Sequence, residues 1–452
     1  MDLVTTSRLI RNKELSPVEL VNNALHQISV KNSEVNAFIT VCEDEALESA
    51  KTLEQEMLDG NLRGPLHGIP IAAKDLIFTK NIRTTMGSKL YESFVPDKDA
   101  AVIERLKGAG AIIIGKTNTH EFAYGPIGDR SYFGPCRNPH QLEKISGGSS
   151  SGSAAAVAAG MVSGAIGTDT GGSIRIPSSA CGAVGVKPTF GLVSKRGVFD
   201  LAYTLDHVGP ITANISDNAL LLNTIAGYDE GDPYSLKSNV VDYSRLIGQN
   251  IQGKVIGIPS YYFENIDEEV SAAIANCLNV FERLGVVLKK VDIRCMKRIA
   301  SLQVVTIQAE AAAVHTNTIQ YHRGEVDEEV YERLVQSQNV KGYEYVLAQV
   351  ERKGLITEFN QVFSEVDILV TPTLPILPTN IGQRDVVVNG QVEAVRHALL
   401  RLTSPTDFTG NPSISLPCGF SKSGLPIGVQ LIAMHGNEDK LYQFGYALEQ
   451  SL

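Results

Sequence analysis

Between residues 145 and 191 the chain reads ISGGSSSGSAAAVAAGMVSGAIGTDTGGSIRIPSSACGAVGVKPTFG, and glycine and serine dominate it. A flexible linker would share that composition. It would not contain residues 154–159, a good helix former, or the apolar positions from 180 to 186. Small residues among structured elements imply close backbone approach, as a site made of main-chain N–H donors requires. Thr170-Gly171-Gly172-Ser173 is the sharpest such turn, since two glycines can aim successive amides at one point and leave the next hydroxyl facing it. An oxyanion hole followed by its nucleophile fits that order. A serine hydroxyl is inert near neutral pH without a base, and no histidine or carboxylate lies at an obvious spacing from Ser173. Lys74 is the candidate base. It follows the apolar run 69–73, where desolvation and a lack of carboxylate partners would lower its pKa. Taken alone, Lys74-Asp75 reads more simply as a solvated pair at a strand end.

Two other motifs mislead. Gly110-Ala111-Ile112-Ile113-Ile114-Gly115-Lys116-Thr117 matches the phosphate-loop pattern letter for letter, yet its four variable residues favour a buried strand where a curled loop is required. Gly148-Ser149-Ser150-Ser151-Gly152 matches a nucleophile elbow centred on Ser150. That elbow follows a buried strand, whereas residues 138–144 read as a polar loop. The nine histidines show no metal-binding spacing, so neither a metal nor another cofactor is expected. Asp169 and Arg175, on either side of Ser173, read as a buried structural pair.

The elements that must hold these residues alternate along the chain. Ser16-Pro17-Val18-Glu19 combines an N-cap, a proline at the first helical position and a capping-box glutamate, predicting a helix to about residue 30. A second helix is expected over 43–59 and a short strand ending at Lys74. Helix 100–107 and strand 111–114 form an αβ unit. The alternation resumes with strand 254–258, helix 267–285 and strand 286–291. Interleaving of this kind favours an α/β layered architecture. Residues 295–363 are nearly all helical in pattern and read as an insertion in one domain spanning 1–452.

The chain has 452 residues, enough for a large core, and a formal charge of −10, which argues against capture of phosphate backbones or anionic membranes. No apolar run approaches the roughly 18 residues of a membrane span. The first residues lack a basic stretch followed by an apolar one, so the cytoplasm is the expected compartment. Six cysteines with no CxxC pair are too sparse for a disulfide scaffold.

Three ordered stretches give the chain a resemblance to the amidase signature family. They are Gly68-Ile69-Pro70-Ile71-Ala72-Ala73-Lys74-Asp75, Gly147-Gly148-Ser149-Ser150-Ser151-Gly152-Ser153, and Gly167-Thr168-Asp169-Thr170-Gly171-Gly172-Ser173-Ile174-Arg175. Gly115-Lys116-Thr117-Asn118, Val186-Lys187-Pro188-Thr189 and Pro412-Ser413-Ile414-Ser415-Leu416-Pro417 support it, and the similarity spans about residues 5–450. The resemblance implies a large, twisted, mixed β-sheet covered by helices on both faces. It implies a Ser-Ser-Lys triad, with Ser173 as nucleophile, Ser149 as the bridging serine in an unusual cis peptide, and Lys74 as base. It also implies that the amides of Thr170, Gly171, Gly172 and Ser173 form the oxyanion hole. Ser151 departs from the glycine of many members, which would cost about 1 kcal/mol if that position required a positive φ.

The implied reaction is hydrolysis of a carboxylic amide through an acyl-enzyme, releasing acid and ammonia or an amine. Tyr124, Pro126 and Ile127 sit where members line the acyl pocket, and their apolar content suggests an uncharged acyl group. Carbamates and urea-like compounds stay open. So does a role as the glutamine-hydrolysing component of a tRNA-dependent amidotransferase. Against that role, residues 330–335 lack the basic Arg-Arg-Ile-Met-Leu-Gly-like helix start, and residues 398–402 offer no acid for an ammonium. The expected partner is a small-molecule amide, with no nucleic acid or membrane, and a homodimer is left open.

Overall fold

Ser16 caps the first long helix as its residue type predicts. Its hydroxyl accepts the N–H groups of Val18 and Glu19 at 3.0 and 3.2 Å and opens the helix Pro17–Val35. The computed structural model describes residues 1–237 and 241–452. The helix continues past the expected end near residue 30, because nothing breaks it before Asn36 turns left-handed at φ 54°. A shorter helix, Leu3–Arg11, precedes it. Asp2 caps that one by accepting the Thr5 N–H at 2.7 Å, a signal the sequence reading passed over.

The first three strands are β1 (Phe38–Val41), β2 (Pro70–Lys74) and β3 (Ile112–Thr117). β4 (Arg137–Asn138) and β5 (Gln141–Ile145) form a separate hairpin, so the stretch expected as a polar loop is partly strand, though a half-exposed one outside the main sheet. Next come β6 (Gly164–Asp169), β7 (Val184–Lys187), β8 (His207–Thr212), β9 (Val255–Pro259), β10 (Val287–Val291) and β11 (Ile368–Pro372). A second hairpin, β12 (Asp385–Val388) with β13 (Gln391–Ala394), precedes β14 (Ser413–Phe420) and β15 (Pro426–Ile432). Eleven strands make one mixed sheet in the order β1-β3-β2-β6-β8-β7-β14-β15-β11-β9-β10. β2 lies parallel to β3 and β6, and β6 pairs antiparallel with β8.

Alternate residues of the central strands enter different cores, so both faces of the sheet are covered, as the resemblance implies. Ile71, Ala73, Ile113 and Ile166 pack into one core with Leu221 and Leu222 of the helix Ile215–Ile225. Ala72, Ile112, Ile114 and Ala165 pack into another with Ala154, Ala155 and Ala156 of the helix Ser151–Ala158. Lys74, two residues after Ala72, therefore ends β2 on the side of that alanine helix. Residues 295–363 are helical as expected, and the helices Met296–Val314 and Gly342–Asn360 pack on each other. They connect β10 to β11, which pairs with β9. No helix among the described residues is long and apolar enough to cross a membrane.

Candidate active site

β2 is buried along its whole length, and it ends on a fully buried lysine. Lys74 Nζ donates to Ser149 Oγ and to Thr168 Oγ1, each at 2.7 Å. No carboxylate among the described residues pairs with it. The neighbouring Asp75 turns elsewhere, accepting the N–H of Thr85 at 2.8 Å and that residue's hydroxyl, so the solvated-pair reading does not hold. Burial pulls the Lys74 amine down to about 7, although the fields of Asp169 and Asp206 act upward.

Ser149 sits in a loop whose glycines allow tight packing. Gly147 has φ 72°, and the Gly148–Ser149 peptide is cis. The Gly148 N–H donates to Pro126 O at 2.7 Å, and the His120 N–H donates to Ser149 O at 3.2 Å. The next serine does a different job. Ser150 Oγ donates to Thr168 O at 3.0 Å and accepts the Thr168 N–H at 3.2 Å, strapping the helix Ser151–Ala158 to β6. Ser151 is the first residue of that helix and is not among the positive-φ residues, so the expected backbone penalty does not arise.

The turn after β6 brings Ser173 to the same place. The Ser150 N–H donates to Ser173 O at 3.1 Å, which ties the two serine segments together. Among the described residues the hydrogen-bond partner of the Ser149 hydroxyl is Lys74, and it makes no hydrogen bond to the Ser173 hydroxyl. Gly172 has φ 133°, and a Cβ there would lie 2.1 Å from Thr403 Oγ1, so only glycine fits. Its N–H donates to Asp169 Oδ1 at 2.5 Å. Among the described residues the amides of Thr170, Gly171 and Ser173 have no acceptor. Thr170 is held by its hydroxyl, which donates to Asp206 Oδ1 at 2.6 Å.

A buried arginine holds the turn from behind. Arg175 Nε and Nη2 donate to the two oxygens of Asp169 at 3.0 Å each, and Nη2 donates to Asp407 Oδ2 at 2.7 Å. Its Nη1 serves Thr403 O, Thr406 Oγ1 and Gln430 Oε1. The side chains of Arg175, Asp169 and Asp407 are all fully buried. Burial pushes the Asp169 carboxyl upward, but the Arg175 guanidinium overcomes this and holds it well below the usual carboxylate range. Burial and the Asp169 charge push Asp407 the other way. The pair expected from sequence is thus a triad with Asp407, which the sequence reading missed because 232 residues separate it from Arg175. Thr168 and Asp206 were missed as well. Thr168 lies inside the motif Gly167-Thr168-Asp169-Thr170-Gly171-Gly172-Ser173, whereas Asp206 has no local signal.

Of the expected pocket residues, Tyr124 and Ile127 are buried at 2% and 1% exposure. The Tyr124 phenol shares a 2.7 Å hydrogen bond with Ser337 Oγ, and Arg333 donates to its carbonyl. Ile127 packs with Ile176 and Leu399. Pro126 backs the cis peptide through its carbonyl. Arg401, in the stretch 398–402, is partly buried. It donates to the carbonyls of Glu264 and Asn265 and pairs with Glu393 at 3.4 Å.

The sequence model of the family described as Amidase matches residues 19–442. The A subunit of the glutamyl-tRNA(Gln) amidotransferase of Geobacter sp. (strain M21) is 38% identical over 469 residues, covering 98% of this chain and 95% of that protein. Among solved structures, a chain from a vestigial protein complex described as revealing the origins of an s-triazine catabolic enzyme superposes with a TM-score of 0.95 at 32% identity, over 100% of this chain and 98% of that one. The A subunit of the glutamyl-tRNA(Gln) amidotransferase of Thermotoga maritima is 36% identical with a TM-score of 0.82, over 97% of this chain and 93% of that one.

Proposed function

The chain belongs to the amidase signature family, and we propose that it is a serine amidohydrolase working through Lys74, Ser149 and Ser173. The observation that carries this reading is Lys74: a buried amine 2.7 Å from a serine hydroxyl, free of any carboxylate partner among the described residues and pulled down to about 7 by burial. Neutral Lys74 takes a proton from Ser149 as Ser149 takes one from Ser173, whose oxygen attacks the amide carbonyl. The unsatisfied amides of Thr170, Gly171 and Ser173 receive the oxyanion. The Gly172 amide, counted as a fourth donor from sequence, is occupied by Asp169 and shapes the turn. The relay then returns the proton to the leaving nitrogen, because an amide anion is a very poor leaving group. Water, activated by the same groups, releases the acid from Ser173. A carbamate or urea-like carbonyl would meet the same attack. Six unpaired, buried cysteines suit a reducing compartment, which supports the cytoplasm.

A second reading, the glutamine-hydrolysing component of a tRNA-dependent amidotransferase, is favoured by the near full-length relatives that carry that enzyme's name. Against it, the position facing the Gly171 turn from the helix Val395–Arg401 is Leu400, where an ammonium would need an acid. The purified protein should be assayed on aliphatic, aryl and amino-acid amides, glutamine and carbamates. Turnover of a simple amide, lost in Ser173→Ala, is the expected result. More than about a tenth of wild-type activity in Ser173→Ala would sink the nucleophile assignment. Efficient glutamine turnover, or a stoichiometric partner that binds tRNA, would promote the second reading.

A further inference from the structure

Beside Tyr124 lies a cluster of arginines whose charges do not balance. Arg130, Arg333 and Arg384 share the carboxylates of Asp129, Asp327 and Glu329 over distances of 2.8 to 3.9 Å. Arg396, on the helix Val395–Arg401, is the fourth arginine, and among the described residues its side chain has no ion pair and no hydrogen bond. Its Nε is buried and unpartnered, while the residue as a whole is only half-buried, so its remaining exposure falls on other atoms. The groups bearing on it are Arg333, Tyr124 and Glu329, and burial pulls it down to about 10, still charged at neutral pH. A guanidinium drawn partly out of water for a purely structural reason is normally paired, as Arg175 is, whereas Arg396 keeps a buried Nε with no acceptor and its other nitrogens open.

Its place in the fold connects it to the reaction. Leu400, one turn further along the same helix face, reaches the proposed oxyanion turn: a Cβ built on Gly171 would lie 3.2 Å from Leu400 Cδ2. Helical side chains lean toward the N-terminus, so Arg396 extends from Leu400 away from Gly171. Tyr124 and Arg333 both act on the Arg396 charge, and the Arg333 guanidinium lies 5.5 Å from the Tyr124 ring centroid. The Tyr124 segment in turn abuts Ser149 through Pro126 O and the His120 N–H.

We infer that Arg396 binds a carboxylate on the acyl side of the substrate, so that the enzyme's substrates are monoamides of dicarboxylic acids. This rests on the amidohydrolase reading and differs from the uncharged acyl group expected from sequence. One helical turn is about 5.4 Å and the guanidinium extends beyond it, so the carboxylate is separated from the scissile carbonyl by a short carbon chain, whose length the comparison of succinamate with glutaramate reads. The site offers the anion an unpaired guanidinium and offers an ammonium no acid, so glutaramate is preferred to glutamine.

The test compares succinamate and glutaramate with their neutral counterparts butyramide and valeramide. The wild type is expected to favour the anionic amides about thirtyfold or more in kcat/KM, the scale of a charge-assisted hydrogen bond. Arg396→Gln should reduce that ratio to within about threefold, and Arg396→Lys should restore part of it. Succinate binding, followed by calorimetry, reads the same site without turnover and should weaken by a similar factor in Arg396→Gln. Neutral amides turned over as well as anionic ones, or an unchanged ratio in Arg396→Gln, would overturn the inference and leave the amidohydrolase reading standing. Arg396-dependent succinate binding with no amide hydrolysed would do the reverse. Arg396→Met should melt at or above the wild-type temperature, since it removes an unmatched charge. A lower melting point with an unchanged succinate affinity would assign Arg396 a structural role.

Discussion

Two fully buried lysines stand on neighbouring strands, Lys74 at the end of β2 and Lys116 in β3, where it pairs in register with Ala73. Burial lowers both, to about 7 and about 8. Their partners set them apart. Lys116 Nζ donates to Ile77 O, to Thr84 Oγ1 at 2.9 Å and to Thr79 Oγ1 at 3.2 Å, three acceptors for the three hydrogens of an ammonium. Lys74 has two partners, both hydroxyls, and a hydroxyl can also donate. A neutral amine with a free lone pair fits the second environment, and an ammonium fits the first. Depth of burial alone therefore does not mark a base. What marks it is an incomplete set of acceptors that includes a hydroxyl joined to the site.

Replacing each lysine by methionine separates these roles most sharply. Lys74→Met should lower kcat on any working amide by about a thousandfold, the contribution of a well-placed general base, with the fold intact. Lys116→Met should leave kcat per folded molecule within about threefold and lower stability by about 1–3 kcal/mol, because the Ile77 carbonyl keeps only the Thr79 hydroxyl and the buried Thr79 and Thr84 hydroxyls lose the ammonium they accept from. Denaturant titration beside active-site titration reads both. Comparable activity losses in the two folded variants would erase the distinction.

The same contrast predicts a smaller effect in pH dependence. Activity needs unprotonated Lys74, so kcat/KM should rise with pH through an apparent value near that of Lys74, about 7, and Ser149 shares in that titration. Stability follows by linkage. An unfolded lysine titrates near 10.4, so between about 7 and that value the unfolded chain holds a proton at Lys74 that the folded chain does not. Stability from this group therefore rises with pH across the window, and the penalty is full below it. Relative to wild type, Lys74→Met should be most stabilised near neutrality and lose that advantage as pH rises. Melting curves of the two proteins across the window check it. A difference that stays flat or grows with pH would contradict a neutral Lys74.

Much of this arrangement was legible from local signals. Ser16 capped a helix because a capping box is written within four residues, and 112–117 is a strand because Ile112-Ile113-Ile114 cannot curl around a phosphate. Lys74, Ser149 and Ser173 could be singled out because each lies in a short motif. The unreadable part is assembled over long separations. Thr403 closes on Gly171 O across 232 residues, and Gln430 meets Arg175 across 255. The surplus charge at Arg396 is equally invisible in a string of letters, because it depends on which three arginines the nearby acids already serve. Ser151 misled in the other direction, since its departure from glycine mattered only if the backbone there were left-handed.

The smallest effect concerns two adjacent serines, and it tests whether position in the loop or sequence motif assigns the chemistry. Ser149 Oγ touches Lys74, whereas Ser150 Oγ is spent on the backbone of Thr168, both donating and accepting. Ser150→Ala removes those two bonds and leaves the Thr168 amide and carbonyl buried, a cost of about 1–3 kcal/mol. Thr168 also carries the hydroxyl that Lys74 donates to, so a slight shift of β6 is transmitted to the base. Ser150→Ala should therefore fold with a lowered melting temperature and retain kcat within about threefold of wild type. Ser149→Ala should leave only a small residual activity, with a water bridging Lys74 and Ser173. If Ser150→Ala instead lost all turnover with an intact fold, the elbow motif centred on Ser150 would name the nucleophile, and the contact between Lys74 and Ser149 would be structural.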